Sequence, residues 1–352
     1  GSVASPVTQL TPFKYGVGRS MARWVYVGGS FLVILSFSFF VLYSVRAFNI
    51  TPDRPSASYK APDYRFVLVT EEVDNDYWRL VEQGARAAAE KYNVSLEYTG
   101  PKQANLEEHI KMIEMAAASQ VDGIIAQGLN QEVSPALINH VSEKGIPFLT
   151  IDTDAPESKR VAYVGTDNYY AGFLAGQALL NDTADDVKVG IITGRFDSAN
   201  QKLRVEGFKD AIKDSDRVEV VAIDASQITR IQAAEKTYEM IKEHPEINAF
   251  YGTSALDAIG IVQVLESIGM TDRVYVIGFD VLPETLQLLM EGKLEATVEQ
   301  RPYEMGYDAV ELMVQIIEGE DVSTYHHTMT EVIRQKDLKQ MEQPTPGGMK
   351  RP

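Results

Sequence analysis

Beyond residue 63 the chain alternates short apolar runs with segments in which apolar residues recur every three or four positions. The runs, at residues 66–70, 95–98, 123–126, 148–151, 187–192, 218–222, 249–252, 274–277 and 296–298, have the length of buried strands. The segments between them, such as 78–92 (WRLVEQGARAAAEKY) and 106–118, read as amphipathic helices. Parallel strands need a crossover, and a helix in each crossover covers a face of the sheet, so the alternation predicts an α/β fold with parallel sheets. Nine strands are many for one twisted sheet around a single core, so two Rossmann-like lobes are expected, each with its own sheet.

Ahead of this region, residues 24–45 (WVYVGGSFLVILSFSFFVLYSV) carry no charge. A helix of that length, at about 1.5 Å rise per residue, crosses a hydrocarbon core of about 30 Å, and the segment reads as one transmembrane helix. Arg19 and Arg23 precede it and Arg46 and Arg54 follow, so the charge asymmetry is weak; the short N-terminus is expected inside and the large region outside. A cleaved signal peptide is the rival reading, because Val45-Arg46-Ala47 loosely fits a small-residue cleavage site, although the run exceeds the usual signal core of about 7 to 15 residues. Residues 1–23 form a leader that opens on Gly-Ser, with Met21 read as the native start. Residues 46–63, rich in Pro, Ser and Ala, read as a linker, and residues 341–352 as a disordered tail.

The strand ends carry the candidate chemistry. The run at 274–277 leads into Gly278, Phe279 and Asp280, and the run at 296–298 into Glu299, Gln300, Arg301 and Pro302. Ligands of open α/β sheets bind at the carboxyl ends of strands, so an aromatic beside a carboxylate at one tip and an amide at the next describe a site for a small polar molecule. The first strand ends in Thr70-Glu71-Glu72-Val73-Asp74-Asn75-Asp76-Tyr77-Trp78, and the fourth in Asp152-Thr153-Asp154. Two adjacent aromatic rings at such a turn can form an apolar wall, and a carboxylate accepts two neighbouring hydroxyl hydrogens. Residues 200–208 (NQKLRVEGF) open a helix whose Arg204 offers a planar fork of donors, with Asn200 one turn earlier on the same side.

These tips resemble the sugar-binding members of the type I periplasmic binding proteins, the ribose-binding protein group, and the likeness covers nearly all of residues 64–335. The resemblance implies two lobes joined by three hinge strands, with crossings near Thr166, Gln300 and Gly319. Lobe one then holds residues 64–165 and 301–319, and lobe two residues 166–300 and 320–340. It implies ligand contacts from Asn75, Tyr77, Trp78, Asp152, Arg204, Phe279, Asp280 and Gln300. Gln127 and Ser254 stand where ribose binders carry Asn, and Asp154 and Asn200 join the set by position. Thr153 replaces an Arg of ribose binders, and Ile228 sits where an aromatic is usual. The class of ligand, a monosaccharide or related polyol, therefore carries over, and ribose itself does not.

Composition narrows the function. A formal charge of −17 argues against a nucleic-acid surface, which needs clustered Lys and Arg. The chain has no cysteine, which removes disulfides, thiolate metal sites and an acylated lipoprotein anchor. Its five histidines show no metal-binding spacing, no phosphate loop or nucleophile elbow occurs, and no metal or cofactor is expected. The crowd of carboxylates (Glu71, Glu72, Asp74, Asp76, Asp152, Asp154, Asp280) raises a glycosidase-like acid pair as an enzymatic alternative, but hydroxyl binding accounts for the same residues and no enzyme is expected. The lactose-repressor-type regulators share the fold but need a helix-turn-helix where this chain has an apolar helix. A retained helix fits a receptor that reports an extracellular sugar to a membrane sensor kinase; the alternative is the binding subunit of an ABC importer, with its permease as partner.

Overall fold

The computed structural model describes residues 18–48 and 61–341. The leader before residue 18, most of the linker and the tail beyond residue 341 lie outside the described residues. The described chain falls into two units, the helix α1 (Gly18–Phe48) and an α/β domain that begins at Ala61. Within α1 the segment Val27–Ser44 is long and apolar enough to cross a membrane, and none of it is buried.

The α/β domain runs β1 (Tyr64–Val69), α2 (Asp76–Lys91), β2 (Val94–Thr99), α3 (Leu106–Ala118), β3 (Gly123–Ala126), α4 (Ser134–Glu143), β4 (Phe148–Ile151) and β5 (Ala162–Gly165) in its first lobe. The second lobe follows with α5 (Asn168–Asp182), β6 (Val187–Thr193), α6 (Ala199–Ile212), β7 (Val218–Ala225), α7 (Arg230–Glu243), β8 (Ala249–Gly252), α8 (Asp257–Ser267), β9 (Tyr275–Phe279), α9 (Pro283–Met290) and β10 (Ala296–Glu299). The chain then returns to the first lobe for α10 (Pro302–Glu318) and β11 (Tyr325–His327), and ends in the second with β12 (Glu331–Arg334) and α11 (Gln335–Met341).

Two six-stranded sheets result, in the orders β11-β5-β4-β3-β1-β2 and β12-β10-β9-β8-β6-β7. All neighbours are parallel except β12, which runs antiparallel to β10. The nine apolar runs are all strands, and three further strands, β5, β11 and β12, complete the sheets. The first two crossings fall at residues 166–167 and 300–301. The third lies between β11 and β12, at residues 328–330, rather than near Gly319: β11 pairs with β5, which keeps residues 320–327 in the first lobe.

Strands covered on both faces must be apolar at every position, and β1 shows the division of labour. Phe66 and Leu68 pack with α2 and α10, whereas Val67 and Val69 pack with α3 and α4. The second lobe repeats the arrangement. Ile191, Tyr251 and Phe279 meet α5 and α6, and Ile192, Phe250 and Val276 meet α7 and α8.

In each lobe glycines bring helices into backbone contact. A Cβ at Gly84 would lie 1.9 Å from the Tyr303 carbonyl oxygen, and one at Gly306 would lie 1.9 Å from that of Val81. The same holds for α5 and α6, where a Cβ at Gly207 would lie 1.9 Å from the Tyr169 oxygen. No flexible side chain can yield there, so Gly306→Ala must push two helices apart, at about 1–3 kcal/mol as for other overpacked cores. Calorimetric melting of the variant is expected to show a transition several degrees lower; an unchanged transition would mean that the pair separates freely.

Candidate functional site

The carboxyl ends of both sheets open on one cleft. Strand order reverses beside β1 in one sheet and beside β6 in the other, the places where doubly wound sheets leave a crevice. The cleft holds about 60 Å³ of free space between the lobes, and about 470 Å³ when its open mouth is counted. Lobe one contributes Glu71, Asn75, Tyr77, Trp78 and Asp152; lobe two contributes Ser198, Asn200, Gln201, Arg204, Ile228, Ser254, Ala255 and Asp280, with Gln300 at the second crossing.

In lobe one, Asn75 caps α2 by accepting from the Tyr77 N–H at 2.9 Å, which fixes the first helical turn and its two aromatics. Tyr77 and Trp78 meet edge to face, with centroids 5.2 Å apart. The Tyr77 hydroxyl donates to Asp152 Oδ2 at 2.8 Å. Burial, with the Asp152 charge behind it, holds this phenol well above its ordinary range, so it stays a donor. Asp152 sits at a left-handed φ of 62°, which ends β4 and turns the carboxylate into the cleft; Asp is among the few side chains that accept that conformation. Its Oδ1 accepts from Thr153 Oγ1 at 2.8 Å, from Gln127 Nε2 at 3.3 Å and, across the cleft, from Asn200 Nδ2 at 3.2 Å.

Lobe two repeats the tip. Asp280 follows β9 at a φ of 69°, and its Oδ1 accepts from Gln300 Nε2 at 2.7 Å. Arg204, only 2% exposed, donates to Asn168 Oδ1 (2.9 Å), the Thr253 carbonyl (2.8 Å) and Gln300 Oε1 (3.0 Å). Its guanidinium lies 3.8 Å from the Phe279 ring centre. Gln300 Oε1 also accepts from Thr166 Oγ1 at 2.7 Å, so one amide at the second crossing ties the cleft to the first. Burial pushes the Asp280 carboxyl up to about 6, against the pull of Arg204 and the Gln300 hydrogen bond.

Asn75, Tyr77, Trp78, Asp152, Asn200, Arg204, Ser254, Asp280 and Gln300 thus converge as expected. Three expected contacts stand elsewhere. Gln127 is behind Asp152, and Phe279 is fully buried beneath Arg204. Asp154 faces away, held by the Thr150 hydroxyl and by Arg160 Nη2 at 2.6 Å. Ser198, Gln201 and Ala255 also line the cleft and carry no mark in the sequence, and Glu71 is there one carboxylate among several. Glu71 stands directly after the strand tip, but the adjacent Glu72 gave no way to choose between them. Ile228, the departure from the aromatic, does line the cleft, at a φ of 56° that a β-branched residue rarely adopts. Ser254 lines the cleft beside buried Asp257, whose Oδ2 accepts from the Ser254 N–H at 2.8 Å. Among the described residues no group of three or more His, Cys, Asp or Glu side chains could hold a metal.

The arrangement is that of a hydroxyl-binding cleft, with carboxylate acceptors and guanidinium and amide donors around an aromatic wall. The periplasmic binding protein domain family matches residues 66–321. The D-allose-binding periplasmic protein of Escherichia coli is 25% identical over 268 residues, 74% of this chain and 86% of that one. The crystal structure of GanP, a glucose-galactose binding protein from Geobacillus stearothermophilus, is 57% identical with a TM-score of 0.77, covering 78% of this chain and 98% of that one. The XylFII-LytSN complex matches at 36% identity and a TM-score of 0.74, again over 78% and 98%. This chain is a binding protein rather than an enzyme, and it belongs to the type I periplasmic binding proteins, in their sugar-binding group.

Proposed function

We propose that the chain is a membrane-anchored, extracellular receptor that closes its lobes on a monosaccharide or related polyol and reports the closed form to a membrane sensor histidine kinase. The observation that carries this reading is convergence: Asp152 and Trp78 from one lobe, and Arg204 and Asp280 from the other, line one cleft. A ligand held by both lobes has a higher affinity for the closed form than for the open one, and that difference is what moves a hinge. Trp78 offers a face for the C–H side of the ring, while the two carboxylates accept hydroxyl hydrogens and Arg204 donates to ring or hydroxyl oxygens.

The likeness to the glucose-galactose binding protein supports hexoses as the first ligands to test. The likeness to XylFII, solved in complex with LytSN, supports a sensor partner, and α1 with no cysteine in the chain supports anchoring by the helix itself. Import is the second reading, favoured by relatives such as the ribose import binding protein RbsB of Escherichia coli, 24% identical.

Titration calorimetry with D-glucose and D-galactose is expected to show Asp280→Asn and Trp78→Ala each weakening binding by about 10- to 100-fold, the loss of one charged hydrogen bond or one buried ring face. Asn tolerates the left-handed φ at this tip, so the first change removes charge without straining the backbone. Unchanged affinity in both variants would remove the site.

The Asp280 carboxyl at about 6 makes binding pH-dependent. Sugar hydroxyls need the ionised form, so affinity relative to Asp280→Asn should fall as pH drops from about 7.5 to about 5, approaching tenfold per unit below the pKa. Ligand-free stability runs the other way. A carboxyl raised above its unfolded value of about 4 contributes stability that is present below that value and lost as pH rises through about 6. Parallel binding and melting measurements that moved in the same direction would contradict this assignment.

Partner identity has its own test. The chain reconstituted in lipid discs with a candidate membrane sensor kinase should alter that kinase's autophosphorylation when sugar is added. Sugar-dependent ATPase activity of a neighbouring ABC permease, with no effect on a kinase, would establish import instead.

A further inference from the structure

One ion pair spans the cleft without belonging to the sugar contacts above. Arg195, just past the tip of β6 in lobe two, places Nη1 2.8 Å from Oε1 of Glu71, just past the tip of β1 in lobe one. Both side chains are close to dry, at 15% and 11% exposure. Glu71 lines the cavity and Arg195 does not. Arg195 also reaches His109 of α3 electrostatically: that ring is 2% exposed, its Nε2 has no hydrogen-bond partner among the described residues, and burial, helped by the Arg195 charge, keeps it neutral at about 4. The cation of one lobe is thus received in a polar pocket of the other.

Because Arg195 and Glu71 stand on opposite lobes, a hinge motion that separated the lobes would break this contact. We propose that Arg195 is a positioning residue for closure: it neutralises the Glu71 carboxylate as the cleft dries, and so sets how tightly sugar is held without touching it. The inference deepens the receptor reading and rests on its closing step. A buried carboxylate stripped of its partner is far less favourable than either the intact pair or a neutral substitute, which gives the proposal a non-additive signature. Glu71 is pushed up to about 6, with burial outweighing Arg195; Asp152, Glu72 and Asp197 face it as well and act in the same direction as burial.

The test uses the full chain in lipid discs, with D-glucose and D-galactose as probes. Arg195→Met should weaken binding by about tenfold or more, and adding Glu71→Gln should recover that loss to about the level of Glu71→Gln alone, since no charge is then stranded. Arg195→Lys should keep most of the affinity. The deficit of Arg195→Met relative to the parent should shrink as pH falls from about 7.5 to about 5, because protonating Glu71 removes the stranded charge. A second arm needs no sugar. The chain has no cysteine, so Glu132→Cys and Ile231→Cys, both exposed, give a unique pair of spin labels across the lobes. Their distance distribution should shift toward the open form in Arg195→Met and back in the double variant.

A double variant as weak as Arg195→Met, with unchanged label distances, would overturn the proposal. A parent that binds neither sugar while the distances respond as described would remove D-glucose and D-galactose as its ligands and leave the ion-pair assignment standing.

Discussion

A buried cation organises half of the cleft. Arg204 is almost wholly out of water, and a guanidinium in that position must find acceptors for its donors in a fixed plane. It finds them on three separate elements: Asn168 in the first turn of α5, the Thr253 carbonyl beyond β8, and Gln300 beyond β10. The Phe279 ring beneath it adds a cation–π contact and leaves one face toward the cleft. Because Gln300 also holds Asp280 and Thr166, satisfying one arginine aligns a ligand carboxylate with two of the crossings between lobes. The backbone contact of α5 with α6 at Gly207, one turn beyond Arg204, fixes where that arginine starts from.

The two lobes solve the same local problem by the same means. In each, a strand ends in an aspartate with a left-handed backbone, and that residue's N–H bonds the next strand, Asp152 to the Val164 carbonyl and Asp280 to that of Val298. The aspartates differ in support. Asp152 accepts four side-chain donors, one of them from the opposite lobe, whereas Asp280 accepts one amide and answers to a nearby guanidinium. The lobe-one acceptor is therefore pre-set, and the lobe-two acceptor keeps more of its capacity for an incoming hydroxyl.

Much of this was readable in the chain, for physical reasons that also explain the gaps. Strands covered on both faces, such as β3, β4 and β8, are unbroken apolar runs and show their own limits. The short edge pieces β11 (YHH) and β12 (EVIR) are half exposed, carry polar residues and have no such mark, so the chain's own pattern offers nothing to correct the crossing near Gly319 that the resemblance implies. At the site, the strand-tip carboxylates are legible because they follow long apolar runs, whereas Arg204 stands in a polar stretch and is marked only by the resemblance. Asp154 was misplaced because its partner, Arg160, lies in a turn that no periodicity describes. Phe279 was misplaced because alternation along β9 could not say which face would lie under a cation.

The left-handed tips also limit how such a cleft can change over evolutionary time. Asp, Asn and Gly sit most comfortably at such angles, so lengthening either acceptor to Glu or shrinking it to Ala adds backbone strain at the sheet end that carries it. Drift toward a new sugar must then pass through neighbours under no such restriction, Thr153 and Ser254 among them. A pair of immovable anions amid exchangeable companions is a scaffold on which preference can wander while the habit of gripping hydroxyls persists.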